Sequence, residues 1–456
     1  MKRIDITAYI YSAMQKTNIM QSETIPRLLF KMSFPMMLSM LIQALYNVVD
    51  SIFVAMVSET ALTAVSLAFP LQNLLISAAV GTGVGINSLL SRRLGEGKHE
   101  EANHVASTTL FLGLVISCLF IFIGIFLAKP FLKIFTQDNE LLRLSTSYSR
   151  ICLIISFGCI FSIFIEKLIQ ATGNSVQPMT MQLTGAITNI VLDPIFIFVF
   201  KLGVNGAAIA TVIGQIASML LALYFLSKNE YIQIKVKDIR PNARIIKDIF
   251  QVGLPSIIMN SIGTIMVSLI NGILIAFSST AVSVFGVYFK LQSFVFMPVF
   301  GLNNGVIPIL GFNYGAKNKK RMISTMKLGL VVALLIMILG TLLFQFMPKQ
   351  LLSLFSATEE MYKLGIPALR SISLCFIPAA ISIILIASFQ ATGFGFASMM
   401  VSIIRQLVVL CPCAYFLSKI IGINGVWYSF AIAEVFGLLF SIIFFTHVYK
   451  EKIKNL

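Results

Sequence analysis

Residues 1–226 and 247–446 of the chain read as two copies of one pattern, held at one constant offset that carries Phe34-Pro35 onto Leu254-Pro255. The same offset carries Thr60-Ala61 onto Thr280-Ala281 and Leu71-Gln72 onto Leu291-Gln292. Gly95 matches Gly315, Arg150 matches Arg370, and Gln170-Ala171-Thr172-Gly173 recurs letter for letter as Gln390-Ala391-Thr392-Gly393. A duplicated chain folds as two related units, and in a hydrophobic protein such duplication is the usual signature of a two-lobed transporter.

With 57% hydrophobic and only 11% charged residues, the chain has too few polar groups to cover a water-soluble globule of 456 residues. Nearly uncharged runs of about 20 residues, enough to cross roughly 30 Å of hydrocarbon, occur twelve times. The expected spans are 28–54, 60–88, 105–128, 146–168, 179–200 and 206–226, then 248–275, 280–310, 325–347, 365–389, 397–418 and 425–447. The expected fold is therefore all-α, with twelve membrane helices in two six-helix lobes. An even number of spans per half puts both copies in the same orientation, so the repeat is parallel, about a pseudo-twofold along the membrane normal. The expected divisions are an N-terminal cytoplasmic segment 1–27, a first lobe 28–226, a linker 227–247, a second lobe 248–447 and a tail 448–456.

The net charge of +16 follows topology rather than nucleic acid. With both termini cytoplasmic, about 22 of the 34 Lys and Arg fall on inner segments, the bias that orients a cell-membrane protein. The segment before Arg27 lacks the apolar core of a signal peptide. All six cysteines lie in expected spans without C-x-x-C spacing, and His99 and His104 have no suitable neighbours, so neither a disulfide framework nor a zinc site is expected. There is no ATP motif: Gly81-Thr82-Gly83-Val84-Gly85 lacks the spacing of a nucleotide loop and reads as a close helix-packing stripe.

Where the two copies differ in charge, function has been added to one lobe. At the constant offset, Asp50 corresponds to Ile270 and Asp193 to Cys413. An ionised Asp at the centre of a membrane helix costs about 2.5–3.5 kcal/mol and burial favours its neutral form, so its retention points to a group that takes up and releases a proton. Tyr46 and Asn47 share a helical face with Asp50, and Asn189 shares one with Asp193. Position along the spans puts both acids in the outer half of the membrane, where they can belong to one site. Pro35, about four helical turns before Asp50, removes a backbone hydrogen bond and lets the first span bend; Pro255 repeats it in the second copy without the acid.

Other charges fall inside the expected spans. Glu166 and Lys167 lie near the inner end of the fourth, from which Lys167 can snorkel to the interface. Lys290 is deep in the eighth, Arg405 is in the eleventh and Glu434 in the twelfth, so Glu434 is expected to pair with Arg405 or Lys290. Phe285, Tyr288, Phe294, Phe296 and Met297 suit either a cavity for flat cations or ordinary core packing, with packing favoured because Phe and Met are abundant.

Pro35 followed by Tyr46-Asn47-Val48-Val49-Asp50, Gln170-Ala171-Thr172-Gly173-Asn174, Leu192-Asp193-Pro194, and Gly203-Val204-Asn205-Gly206 with its repeat Gly422-Ile423-Asn424-Gly425 resemble the multidrug and toxic compound extrusion family, and within it the MepA-like bacterial pumps. The resemblance implies a monomeric, cofactor-free antiporter that alternates access across the bilayer. It would expel organic cations and drugs in exchange for protons, with sodium possible at Asp50 and Asp193. It also implies a first-lobe cation site at Asp50, Asn189, Asp193 and Thr211 with Tyr46 nearby. Glu166 stands where the family would carry an amide, which would add an acid to that site. The alternatives are a lipid-linked saccharide flippase, for which Lys290 and Arg405 would supply cavity charge, and an intramembrane aspartyl protease, whose glycine-flanked motifs are absent.

Overall fold

The computed structural model of the protein describes residues 18–234, 239–355 and 357–456. The expected N-terminal segment 1–27 is thus described only from residue 18, and residues 235–238 of the expected linker lie outside the description.

Among the described residues, ten helices are long and apolar enough to cross a membrane, or up to twelve if each of two bent pairs counts as one span. In the first half they are α1 (Ile25–Val57), α2 (Glu59–Gly95), α3 (His99–Phe122), the pair α4 (Asn139–Ile154) and α5 (Phe157–Ala171), α6 (Val176–Pro194) and α7 (Val204–Ser227). In the second half they are α8 (Ala243–Leu274), α9 (Ser279–Gly315), α10 (Lys319–Phe346), the pair α11 (Glu359–Ser373) and α12 (Phe376–Ala391), α13 (Gly395–Ile403) with α14 (Cys411–Ile421), and α15 (Ile423–Val448). The pairs α4–α5 and α11–α12 bend by 45° and 44°.

The duplication extends to the signals that start each helix. The Ser58 hydroxyl accepts from the Ala61 amide at the start of α2, and Ser278 accepts from Ala281 at the start of α9. Asp138 and Thr358 cap α4 and α11 in the same way, satisfying amides that have no partner within the helix. Gly203 and Gly422 adopt φ of 54° and 67° just before α7 and α15, a backbone region that side chains disfavour.

Glycines on α2 and α9 build the joint between the halves, and they do so twice. A Cβ at Gly81 would lie 2.5 Å from the Ile257 amide nitrogen on α8, and one at Gly301 would lie 2.6 Å from the Met37 nitrogen on α1. A Cβ at Gly95 would lie 2.0 Å from the Phe312 carbonyl oxygen, and one at Gly315 would lie 2.1 Å from that of Arg92. Each contact is the image of the other under the repeat, the reciprocity that a twofold axis between the halves requires. The stripe Gly81–Gly85 is therefore a packing surface, as its spacing implied: Gly81 and Gly85 face α8 of the other half, and Gly83 faces α5 of its own.

These contacts gather on the side of the membrane that carries the chain ends. There Arg321 donates to the carbonyls of Met20 (2.8 Å) and Glu23 (2.9 Å), Arg93 faces Asp248 at 3.6 Å, and Ser88 donates to the Gln390 carbonyl. Further along the helices, Asn73 donates to Thr264 at 2.6 Å. Leu, Ile and Phe side chains such as Phe30, Leu119, Leu335 and Ile443 face outward around the bundle, the surface of a protein immersed in hydrocarbon rather than water.

Candidate functional site

Asp50 sits two turns from the far end of α1 and Asp193 at the last turn of α6, both on the membrane side away from the chain ends. Their carboxyl groups come within hydrogen-bonding reach of each other, although α2 to α5 intervene between them along the chain. Asp193 is fully buried and Asn189 almost so. Oriented to satisfy both its ends, the Asn189 amide donates to Asp193 Oδ2 at 2.9 Å and accepts from the Thr211 backbone N–H at 3.0 Å. The Thr211 hydroxyl donates to the Ala207 carbonyl at 2.9 Å, and Tyr46 approaches that hydroxyl from α1. Asp50 Oδ1 is buried and receives no hydrogen bond. Three helices thus place two carboxyls, an amide, a hydroxyl and a phenol together. Asn47, expected on the same face, lies on the exposed side of α1.

Helix chemistry explains the position of Asp193. Pro194 has no N–H to give the carbonyl of Ile190, and the helix passes there into a π turn, Ile195–Val199. Such turns recur at functional sites. The same proline corrects the repeat alignment: Leu192-Asp193-Pro194 matches Leu410-Cys411-Pro412, so the counterpart of Asp193 is Cys411 rather than Cys413. The copies slip by two positions between Gly393 and this proline.

The second half has filled the equivalent space. Ile270, opposite Asp50, is fully buried. Matching Gly203 to Gly422 sets Trp427 against Ala208 and Phe430 against Thr211, while Tyr288 falls opposite Ala68 at the constant offset. Phe285, Tyr288, Trp427 and Phe430 stack with centroids 5.8–6.3 Å apart. Phe285 and Tyr288 are each 1% exposed, so they are core packing and line no cavity for cations; Phe296 likewise packs on Phe376.

Glu166 and Lys167 do not snorkel. They are 6% and 5% exposed, and their polar atoms are consumed by a network. Glu166 accepts from Gln170 at 2.9 Å and from Gln182 at 2.8 Å, while the Lys167 ammonium reaches Glu166 (3.3 Å), Gln170 (3.1 Å) and, across the joint, Asn304 of α9 (3.1 Å). Ser39 of α1 donates to Gln182. Because Ser39 precedes Asp50 by about three turns of α1, roughly 16 Å along the helix, Glu166 does not join the aspartate pair as the family resemblance implied. An internal cation explains the difference: removing one partner of a buried ion pair costs about 3–5 kcal/mol, which outweighs any gain from reaching the interface.

The other charges separate cleanly. Arg405 pairs with Glu434 at 2.8 Å. Lys290 takes no part; it is exposed, with its ammonium 5.9 Å above the Phe355 ring. Pro35 and Pro255 are both buried inside uninterrupted helices, and Pro255 packs against Gly395.

A neighbour of Asp50 and its hydrogen-bond partner escaped the sequence. The buried Tyr148 of α4 accepts a hydrogen bond from Gln72 at 3.2 Å, and Gln72 also reaches Cys152 Sγ at 3.5 Å. Gln72 had been visible only as a repeat match. Tyr148 carried a usable signal, since its counterpart in the second copy is Ala368.

A family model, MatE, matches residues 35–195 and 253–416, most of both copies. Multidrug export protein MepA of Staphylococcus saprophyticus is 25% identical over 404 residues, 88% of this chain and 89% of that protein. Its namesake in Staphylococcus haemolyticus is 26% identical over 91% of the chain and 92% of its own length. A solved structure described as the outward-facing conformation of a multidrug resistance MATE family transporter of the MOP superfamily superposes with a TM-score of 0.89 at 28% identity, over 95% of this chain and 99% of that one. With the all-helical two-copy fold, the family match across both copies and the acid pair confined to one of them, the chain belongs to the MatE family, as a MepA-like multidrug efflux transporter.

Proposed function

We propose that the protein exports organic cations and hydrophobic drugs in exchange for protons, with sodium as the alternative ion, through alternating access between lobes 28–226 and 248–447. The observation that carries this reading is the juxtaposition of Asp50 with Asp193 in the first half alone. One proton between the two carboxyls supplies the donor that Asp50 Oδ1 lacks; alternatively, the carboxylate, amide and hydroxyl oxygens are hard donors of the type a sodium ion takes.

With the chain ends cytoplasmic, as the basic inner segments favour, the joint closes the inner side and this conformation faces outward. Helix α1 then links ion to gate, because it carries Asp50 towards one end and, on either side of Pro35, the residues packed under Gly301 and Gly305 towards the other. Loading the acid pair shifts the balance between the two packings of α1. An antiporter needs ion and solute to oppose each other's binding, and such coupling is reciprocal. The flippase alternative loses its support, since Arg405 is neutralised by Glu434 and Lys290 is exposed over an aromatic ring.

The test is dye efflux from proteoliposomes under imposed pH or sodium gradients, comparing the native protein with Asp50→Asn and Asp193→Asn. Each substitution is expected to leave insertion intact and abolish gradient-driven efflux. Full-rate transport by both variants would overturn the reading.

A further inference from the structure

On the side of the membrane away from the chain ends, α3 continues through a π turn, Ile123–Leu127, into a short helix, Ala128–Lys133, and the chain returns as α4. Between them lies a cavity of about 540 Å³ whose rim carries Lys129, Arg143 and Arg150. Ile151 and Ile154 give it an apolar floor. No ion pair among the described residues involves any of the three cations. The acids nearest in sequence are Asp138, whose carboxylate caps α4, and Glu140; both are exposed and neither lines the cavity. Thr146 also lines it, 7% exposed, with a buried hydroxyl oxygen that has no partner.

The repeat separates architecture from recognition. All three cations recur at the constant offset, as Lys349, Lys363 and Arg370. Arg150 and Arg370 do the same structural work: Arg150 donates to the Ile125 carbonyl at 3.1 Å and Arg370 to the Gln345 carbonyl at 3.1 Å. The second half differs at the rest. Glu359 replaces Asn139 at the rim, Ile366 replaces Thr146, and Gln345 replaces Ile125 and spans to Arg370 (2.7 Å) and Ser373 (3.0 Å). The first half keeps two uncommitted cations, an unpartnered hydroxyl and an open apolar floor.

We propose that this cavity binds the phosphate headgroup of an anionic phospholipid from the leaflet opposite the chain ends. Lys129 and Arg143 contact the phosphate, Thr146 donates to it, and an acyl chain lies on the isoleucine floor. Charge-assisted bonds to a phosphate are the strongest such cations make, and the floor favours a lipid over a free anion.

The test is native mass spectrometry of the full-length protein in neutral detergent, titrated with phosphatidylglycerol, phosphatidylcholine or inorganic phosphate. Lys129→Gln/Arg143→Gln is expected to weaken phosphatidylglycerol binding about tenfold, about 1.4 kcal/mol, and to leave phosphatidylcholine unaffected. Lys349→Gln/Lys363→Gln in the second half is expected to change neither. Thr146→Val, which keeps both cations, is expected to weaken phosphatidylglycerol by a smaller factor. Equal loss in both double variants would reduce the site to general surface attraction and overturn the proposal, as would unchanged binding in the first. Displacement of the lipid by millimolar inorganic phosphate would identify a free anion as the ligand and overturn the lipid assignment.

Discussion

Asn189 is the residue on which the acid site turns, because it joins Asp193 to the backbone of α7. Asn189→Ala strips Asp193 of its donor, and an unsatisfied buried acceptor costs about 1–3 kcal/mol. Initial dye-efflux rates are expected to fall at least about tenfold, whereas Thr211→Ser, which keeps the hydroxyl, is expected to transport near the native rate. At the second buried cluster, Lys167→Met leaves Glu166 an uncompensated charge and is expected to lower the thermal unfolding midpoint in detergent. Glu166→Gln/Lys167→Met is expected to recover most of the loss, since replacing both partners removes the unpaired charge. Asp50, Asn189, Asp193 and Thr211 were legible in the sequence, the first three because a carboxylate in a membrane helix is costly and period-four neighbours reveal its face, Thr211 through the family resemblance. Gln72 was not, since a glutamine in a span carries no comparable cost to mark it, and Tyr148 was marked only by its replacement with Ala368 in the second copy. Glu166 and Lys167 were misplaced because sequence depth ignores the 45° bend between α4 and α5, and because Gln182 and Asn304, which satisfy them, are remote in sequence.

Among the helices, the glycine contacts are the element most exposed to test. Gly81→Leu and Gly301→Leu each force a side chain into backbone that lies within about 2.6 Å, and overpacking of this kind cannot be relieved by rotamer change. Both are expected to weaken the closed joint equally, as twofold images. Spin labels at Lys98 and Lys320 should then report a population with longer separations, while Gly272→Ala, whose Cβ meets nothing within 4 Å, should not. The helix spans were readable because a long apolar run has few alternatives in a bilayer. The stripe Gly81–Gly85 was readable as packing but its partner was not, since spacing reveals a smooth face and not what lies against it. The π turns at Ile195–Val199 and Ile404–Leu410 were invisible, because one widened turn leaves no change in composition.

At the scale of the molecule, the two related bundles have diverged at the acid site: the first kept small residues around two acids, and the second filled that space with Trp427, Phe430 and Tyr288. If this asymmetry couples ion to solute, then bound ion and bound solute must oppose each other through Asp50 and Asp193. The direct measurement is a fluorescence-anisotropy titration of a cationic dye against detergent-solubilised protein at two pH values and two sodium concentrations. The native protein is expected to lose dye affinity when the coupling ion is raised. Asp50→Asn/Asp193→Asn is expected to bind dye with an affinity that no longer responds to either ion, while Glu434→Gln in the second half keeps the native response. A double variant whose affinity still falls with the ion as steeply as the native protein's would contradict the account.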